Sequence, residues 1–170
     1  MRVIDNVVSD SLISRCRGEV DIKISQNEMC WASSTLLWSQ KIQEGITGSC
    51  LASLTSEEIN ESIIEEILPH VPNDVKQIST RYYMWQPNSG ISIHNDGDYR
   101  FGATIYLNET WHPNSGGWFI WEDKDTREWN TILPTKNTMV LNTSKEKHLV
   151  TSVAPDGFAI RVTIQIWGLK

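Results

Sequence analysis

The sequence predicts a mainly β protein with flanking helices, its core an eight-stranded sandwich or jelly-roll barrel. Past residue 75, short β-branched and aromatic runs recur at nearly even spacing, and turn-forming residues separate them. Apolar residues at helical spacing are confined to the first 75 positions. A chain of 170 residues is long enough for one sizeable core, so a single domain is expected over 1–170. Within it, about 1–75 forms a mixed, helical support and about 76–168 forms the β core.

Taken in order, Val3-Ile4 predicts a short strand, and Ser9-Asp10-Ser11 caps a helix carrying Leu12 and Ile13. Val20, Ile22 and Ile24 alternate with polar residues, the period of a strand with one wet face. The punctuated stretch 25–53 has Trp31, Leu36, Leu37 and Trp38 as anchors, and a helix, a lid and an ordered loop all remain open there. Thr55-Ser56-Glu57-Glu58 has the form of a capping box, with Glu58 reaching back to the Thr55 amide. Ile59, Ile63 and Ile67, with Ile64 and Leu68 beside them, make an apolar stripe, and Pro69 and Pro72 end it. The stripe predicts a helix laid against a sheet.

The eight strands are expected near 77–85, 90–95, 101–108, 117–122, 127–132, 137–142, 148–154 and 159–167. Gln86-Pro87-Asn88-Ser89-Gly90, Asp96-Gly97-Asp98, Pro113-Asn114-Ser115-Gly116-Gly117, Pro134-Thr135-Lys136-Asn137 and Pro155-Asp156-Gly157 supply the breaks. Five of the eight tryptophans lie between 85 and 129, and most of those are expected in the core.

The candidate chemistry begins at His94-Asn95-Asp96. Residues two apart on a strand share a face, so an imidazole and a carboxylate can converge on one point. His-x-Asp alone is a weak pattern, also found at surface turns. His148 offers a third ligand, and two histidines with one carboxylate leave positions open on a non-haem metal. On the last strand Arg161, Thr163, Gln165 and Trp167 share one face, and Val162, Ile164 and Ile166 the other. If the aliphatic row packs on the helices, Arg161 faces the interior. A buried guanidinium there needs an anion, either a structural acid or a small carboxylate ligand. Hairpin geometry is expected to place Arg161 on the strand beside His148 and deeper. His70 and His112 stand beside prolines in predicted loops and are expected at the surface.

His94-x-Asp96, His148 and Arg161 in this order resemble the Fe(II)/2-oxoglutarate-dependent dioxygenase superfamily, in its prolyl 4-hydroxylase-like branch. Tyr106-Leu107-Asn108 followed by Trp111, Gly116-Gly117 opening a strand, and Trp167 six residues after Arg161 extend the match over about 78–168. The resemblance implies a double-stranded β-helix, a cupin-like jelly roll. It implies Fe(II) held by His94, Asp96 and His148, and 2-oxoglutarate chelating the iron with its far carboxylate on Arg161. Tyr106 would be a second contact to that carboxylate, and Thr163 would add a hydroxyl. Phe119, Trp121, Val150 and Trp167 would form an apolar wall. Tyr83, or Tyr82 in the other register, matches a family tyrosine. The implied activity consumes O2 and hydroxylates a C–H bond, most simply of a prolyl residue in a peptide or protein, releasing succinate and CO2 with ascorbate supporting turnover. A carboxylate at Asp96 argues against halogenation.

Two departures stand out. Thirteen residues separate His148 from Arg161, with the added length expected in Ala154-Pro155-Asp156-Gly157. Trp85-Gln86-Pro87-Asn88-Ser89-Gly90 replaces the more common Tyr-x-Pro-Gly. Both fall near the barrel mouth, so a non-prolyl or small-molecule substrate stays open. The loops 86–90, 96–101 and part of 25–53 are expected to form that mouth.

Net charge is −6 and the cations form no stripe, which argues against nucleic acid as partner. A nucleic-acid demethylase of the same superfamily would carry a second arginine where Trp167 stands. A non-catalytic barrel would be expected to lose a ligand. The acidic balance favours a basic or neutral partner. Three scattered cysteines, no signal-like start and no apolar run of membrane-spanning length make a soluble, cytoplasmic protein the expectation. The oligomeric state is not indicated.

Overall fold

A computed structural model describes residues 1–26, 30–34, 38–155 and 160–169. The strands are β1 (Arg2–Asp5), β2 (Ala32–Ser33), β3 (Cys50–Leu54), β4 (Gln77–Trp85), β5 (Ile91–His94), β6 (Phe101–Tyr106), β7 (Phe119–Glu122), β8 (Trp129–Ile132), β9 (Thr138–Asn142), β10 (His148–Val150) and β11 (Arg161–Leu169). Two helices, α1 (Asp10–Ser25) and α2 (Glu57–Ile67), precede the core strands. Strands β4 to β11 each overlap one predicted run. They form two facing sheets, a seven-stranded one in the order β1-β9-β6-β11-β4-β3-β2 and a four-stranded one in the order β5-β10-β7-β8. The predicted double-stranded β-helix is therefore the observed fold.

The helices cover the outer face of the large sheet. Leu12, Ile13, Cys16 and Val20 of α1 and Ile59, Ile63 and Ile67 of α2 pack with Tyr82, Ile105, Leu141, Val162, Ile164 and Ile166. Burial of these side chains is the main term holding the layer. Each helix also completes the cap of the other. The Ser9 amide and hydroxyl donate to Glu66, and the Ser56 amide and hydroxyl donate to Glu19. The pair is consequently antiparallel.

Several local expectations are corrected. Val20, Ile22 and Ile24 belong to α1 and not to a strand. Ile22 and Ile24 lie on its outer side, 55% and 42% exposed, so their alternation with polar residues does not mark a buried sheet face. The N-cap of α2 is Ser56, one residue later than expected, and Glu58 pairs with Arg15 at 2.6 Å. Thr55 instead bonds Thr80 across the sheet at 2.6 Å. Of the five clustered tryptophans only Trp85 and Trp121 are buried, and Trp129 on the edge strand β8 is half exposed. The stretch 25–53 contributes β2, a 3-10 turn at Gln40–Gln43, and β3, which extend the large sheet beyond β4. Leu36 and Leu37, and the turn residues Asp156 and Gly157, lie outside the described residues.

Candidate metal centre and cosubstrate pocket

His94 ends β5 and His148 opens β10, and the two are direct cross-strand partners in the small sheet. The register between these strands then shifts, with His148 facing His94 and Val150 facing Ile91. The extra residue on β5 is a bulge that re-aims its side chains, so both Ile91 and His94 face the cavity. Asp96 follows in the turn leaving β5. His94 Nε2 lies 3.9 Å from Asp96 Oδ1, and His148 Nε2 lies 3.6 Å from Asp96 Oδ2. One ligand atom from each of the three falls within 4.8 Å of the others, so the three residues form a possible metal site.

Backbone carbonyls fix the tautomers. His94 Nδ1 is 2.8 Å from the Ser92 carbonyl, and His148 Nδ1 is 3.0 Å from the Glu146 carbonyl. A carbonyl only accepts, so each Nδ1 carries the proton and each Nε2 presents a lone pair to the shared point. Burial, and then the neighbouring His148, lower the His94 pKa below its ordinary value, favouring the neutral, ligating form. The ring of Phe119 stacks on His148 at 5.1 Å and limits its rotation. Asn142 shapes the approach to His148. Its Oδ1 accepts from the Ser144 and Glu146 amides, and its Nδ2 donates to the Glu146 carbonyl.

Pairing in the large sheet arranges its inner face in rows. Arg161 faces Trp85; Thr163 sits between Tyr83 and Tyr106; Gln165 between Arg81 and Thr104; and Trp167 between Ser79 and Gly102. Gly102 in turn faces Asn142. The Asp96 carboxylate rests on Gly102, where a Cβ would stand 2.4 Å from Oδ2. The aspartate is thus seated on the large sheet while both histidines come from the small one.

Arg161 is completely buried, and none of its three guanidinium nitrogens has a hydrogen-bond partner. The Tyr106 hydroxyl beside it is likewise buried without a partner. The guanidinium carbon lies 4.9 Å from the centre of the Trp85 ring and 5.3 Å from that of Tyr106. Burial lowers the Arg161 pKa and pushes the Tyr106 phenol up to about 12, so the phenol keeps its proton to donate. Thr163 Oγ1 accepts from Trp85 Nε1 at 3.1 Å and from Gln165 Nε2 at 3.2 Å, which leaves its own proton free. A planar cation and two hydroxyl donors in one dry pocket are the complement of a carboxylate. The residues present therefore fit the far carboxylate of 2-oxoglutarate.

A cavity of about 680 Å³ opens over the three candidate metal ligands. Tyr83, Val150 and Trp167 line it, as do Phe119 and Trp85, whereas Trp121 does not. Tyr82 points to the helices and donates to Glu19 at 3.0 Å, so Tyr83 is the tyrosine on the cavity side. Arg161 is not a hairpin neighbour of His148. The two stand in opposite sheets, because β11 inserts between β6 and β4, and Arg161 packs against Gly117, four residues before Trp121, the partner of His148. The mouth includes 95–99 and, of the earlier stretch, Cys30, Ser33, Trp38 and Ile42, but not 86–90. That loop is held by Gly48 and Val153 through the Asn88 carbonyl and amide. His112 is exposed, and His70 is half-buried in the 3-10 turn Leu68–His70, away from the metal ligands.

Sequence reasoning missed Trp85, Arg81, Trp38 and Gly102 as site residues. Trp85 and Arg81 share the Tyr83 face of β4 by simple alternation, a signal that was present. Trp38 and Gly102 depend on long-range packing and had none.

A jelly roll with two histidines and a carboxylate at its mouth, and a buried carboxylate pocket across from them, defines a non-haem metal oxygenase architecture. The model of the 2OG-Fe(II) oxygenase superfamily matches residues 70–168. The chain belongs to this superfamily, which implies Fe(II), 2-oxoglutarate and O2. No curated protein sequence matches the chain. Among solved structures, it is similar to a prolyl-4-hydroxylase from Pseudomonas putida, with 13% identity and a TM-score of 0.72 over 99% of this chain and 91% of that one. It is also similar to a prolyl hydroxylase from Trichoplax adhaerens in complex with a hypoxia inducible factor peptide fragment, with 14% identity and a TM-score of 0.74 over 99% and 82%. A non-haem alpha ketoglutarate dependent epimerase from nogalamycin biosynthesis aligns at 9% identity and a TM-score of 0.61 over 98% and 77%.

Proposed function

We propose that the protein is a hydroxylase of the prolyl 4-hydroxylase type, acting on a prolyl residue in a peptide or protein. The observation that carries the cosubstrate is Arg161, completely buried with every guanidinium nitrogen unpaired, beside the unpaired Tyr106 hydroxyl. An uncompensated buried cation is costly, and a carboxylate is what offsets it. His94, Asp96 and His148 would hold Fe(II), which with 2-oxoglutarate and O2 supplies oxidative decarboxylation and insertion of oxygen into a C–H bond.

The chain's own residues do the rest. The Ser92 and Glu146 carbonyls hold both imidazoles in the ligating tautomer. Arg161, Tyr106 and Thr163 orient the cosubstrate from its far end, and Trp85 and Phe119 keep water from the reacting face. Tyr83 and Trp167, with ring centroids 5.7 Å apart, offer an aromatic surface on which a pyrrolidine ring packs well. Ascorbate would keep the iron reduced. The prolyl target is supported by the likeness to prolyl hydroxylases and by this surface. The epimerase neighbour marks the competing reading, a small-molecule substrate.

The test supplies Fe(II), ascorbate, 2-oxoglutarate and O2 and measures succinate. Succinate is expected to exceed that of His94→Ala and Asp96→Ala controls, and parity with them refutes the enzyme reading. Mass spectrometry of treated proline-containing peptides is expected to find one added oxygen on proline. Oxygen found on another residue, or only on a small molecule, refutes the prolyl assignment.

A further inference from the structure

The chain has seven arginines, and their partners sort them. Arg15, Arg17, Arg100 and Arg127 each pair with a carboxylate, and Arg2 donates to the His70 carbonyl. Among the described residues only Arg81 and Arg161 have neither an ion pair nor a side-chain hydrogen bond. Both point to the inside of the barrel, on the neighbouring strands β4 and β11. Arg161 is accounted for by the cosubstrate carboxylate. Arg81 is a separate cation. It lies four positions along β4 from Trp85, the partner of Arg161, a backbone separation of about 13 Å. It lines the open cavity, where Arg161 does not reach.

Its surroundings leave Arg81 to a ligand. Its cross-strand neighbours are Leu54, which is apolar, and Gln165, whose amide is engaged with Thr104 and Thr163. The acids lining the cavity are Asp96, a candidate metal ligand, and Asp98, and neither pairs with Arg81. Trp85, Trp38, Tyr83, Trp167 and Tyr99 form, in that order, a continuous chain of ring contacts along the same cavity, each 5.7–6.2 Å from the next. The cavity thus presents a forked cation beside an aromatic floor, although the whole chain carries −6. A local cation in a low-dielectric cleft governs the bound group more than distant surface charge does.

We propose that Arg81 is a substrate-recognition residue and that the cavity selects substrates with a carboxylate a few bonds from the carbon to be hydroxylated. This rests on the hydroxylase reading above and adds the class of substrate it accepts. The carboxylate has two possible sources, an acidic residue next to the target proline or the free acid of a small cyclic amino acid.

The test measures binding without turnover. Protein loaded with Mn(II) and 2-oxoglutarate in the absence of O2 is titrated with probe pairs that differ only in charge, read by quenching of tryptophan fluorescence. The pairs are acetyl-Pro-Glu-amide against acetyl-Pro-Gln-amide, and acetyl-proline against acetyl-prolinamide. In at least one pair the acid is expected to bind about tenfold tighter or more, the usual effect of a charged hydrogen bond. The pair that discriminates identifies the source. Arg81→Gln should bring each acid within about twofold of its amide. Arg81→Lys should keep part of the preference, and Arg81→Glu should shift it toward acetyl-Pro-Lys-amide. Melting temperatures confirm that each variant is folded. Equal binding of acid and amide, binding of neither, or a preference that survives Arg81→Gln overturns the proposal. Succinate formation is read separately, so a turnover-competent protein without charge preference refutes only this inference. Charge preference without turnover refutes only the hydroxylase reading.

Discussion

Replacing Gly102 by alanine tests whether the seat of the Asp96 carboxylate governs metal binding. A Cβ at Gly102 would stand 2.4 Å from Asp96 Oδ2 and 3.1 Å from Cγ, closer than the 3.0 Å that real Cβ contacts respect for the first of these. The carboxylate has to retreat by more than half an ångström, whereas a metal–oxygen bond tolerates about 0.2 Å. Disturbing the support of a ligand typically weakens metal affinity about 10- to 100-fold. The fold itself should not suffer. Gly102 sits in a strand without a left-handed backbone, and alanine in place of an interior glycine stabilises by about 0.5–1 kcal/mol. The expected pattern is a Mn(II) affinity lowered about 10- to 100-fold, measured by calorimetry or by the spin-resonance signal of free Mn(II), with an unchanged or raised melting temperature. A Mn(II) affinity within twofold of the parent would refute the claim that this contact positions Asp96.

Arg161→Met should leave the protein without cosubstrate as stable as before or more so, because an unpaired buried charge is removed. The parent should gain about 2.7 kcal/mol at 2-oxoglutarate one hundredfold above its dissociation constant, a melting shift of about 5–10 °C; thermal scans of the variant should show none. Tyr106→Phe should raise the KM for 2-oxoglutarate by about 5- to 15-fold, from the loss of one hydrogen bond, in steady-state succinate assays. Asn142→Ala removes three hydrogen bonds that shape the approach to His148, and urea titration should show about 1–3 kcal/mol lost together with weaker Mn(II) binding.

Strands β4 to β11 are readable because their signals are local, a short β-branched and aromatic run closed by a turn at each end. Alternation placed Arg161 and Thr163 on the inner face, and the burial of Val162, Ile164 and Ile166 on the helix side agrees. Local rules failed where a long-range partner decides. The end of α1 looks like a strand until its packing on α2 is seen. The cap of α2 falls on Ser56, whose amide donates to Glu19 on another helix, in place of the local Thr55–Glu58 box. Division into two sheets leaves no local signal, so alternation alone puts His148 and Arg161 side by side although they belong to different sheets. Arg81 escapes sequence reasoning for a related reason: what marks it is the absence of a hydrogen-bond or ion-pair partner among the described residues, and partners are counted only in three dimensions.

Arg161 has no exposed surface and does not line the open cavity, being closed off by the Trp85 ring and by the close approach of Gly117 to its Cδ. Binding at such an anchor has a kinetic side distinct from its strength. A cosubstrate that pairs with the guanidinium would need these neighbours to part, so its arrival would be limited by how often the protein opens and not by how often the molecules collide. Succinate, the shorter product of the proposed reaction, would depart through the same opening. The pace of such a cycle would then be set by how often Trp85 parts from β11, away from the ligands of the metal.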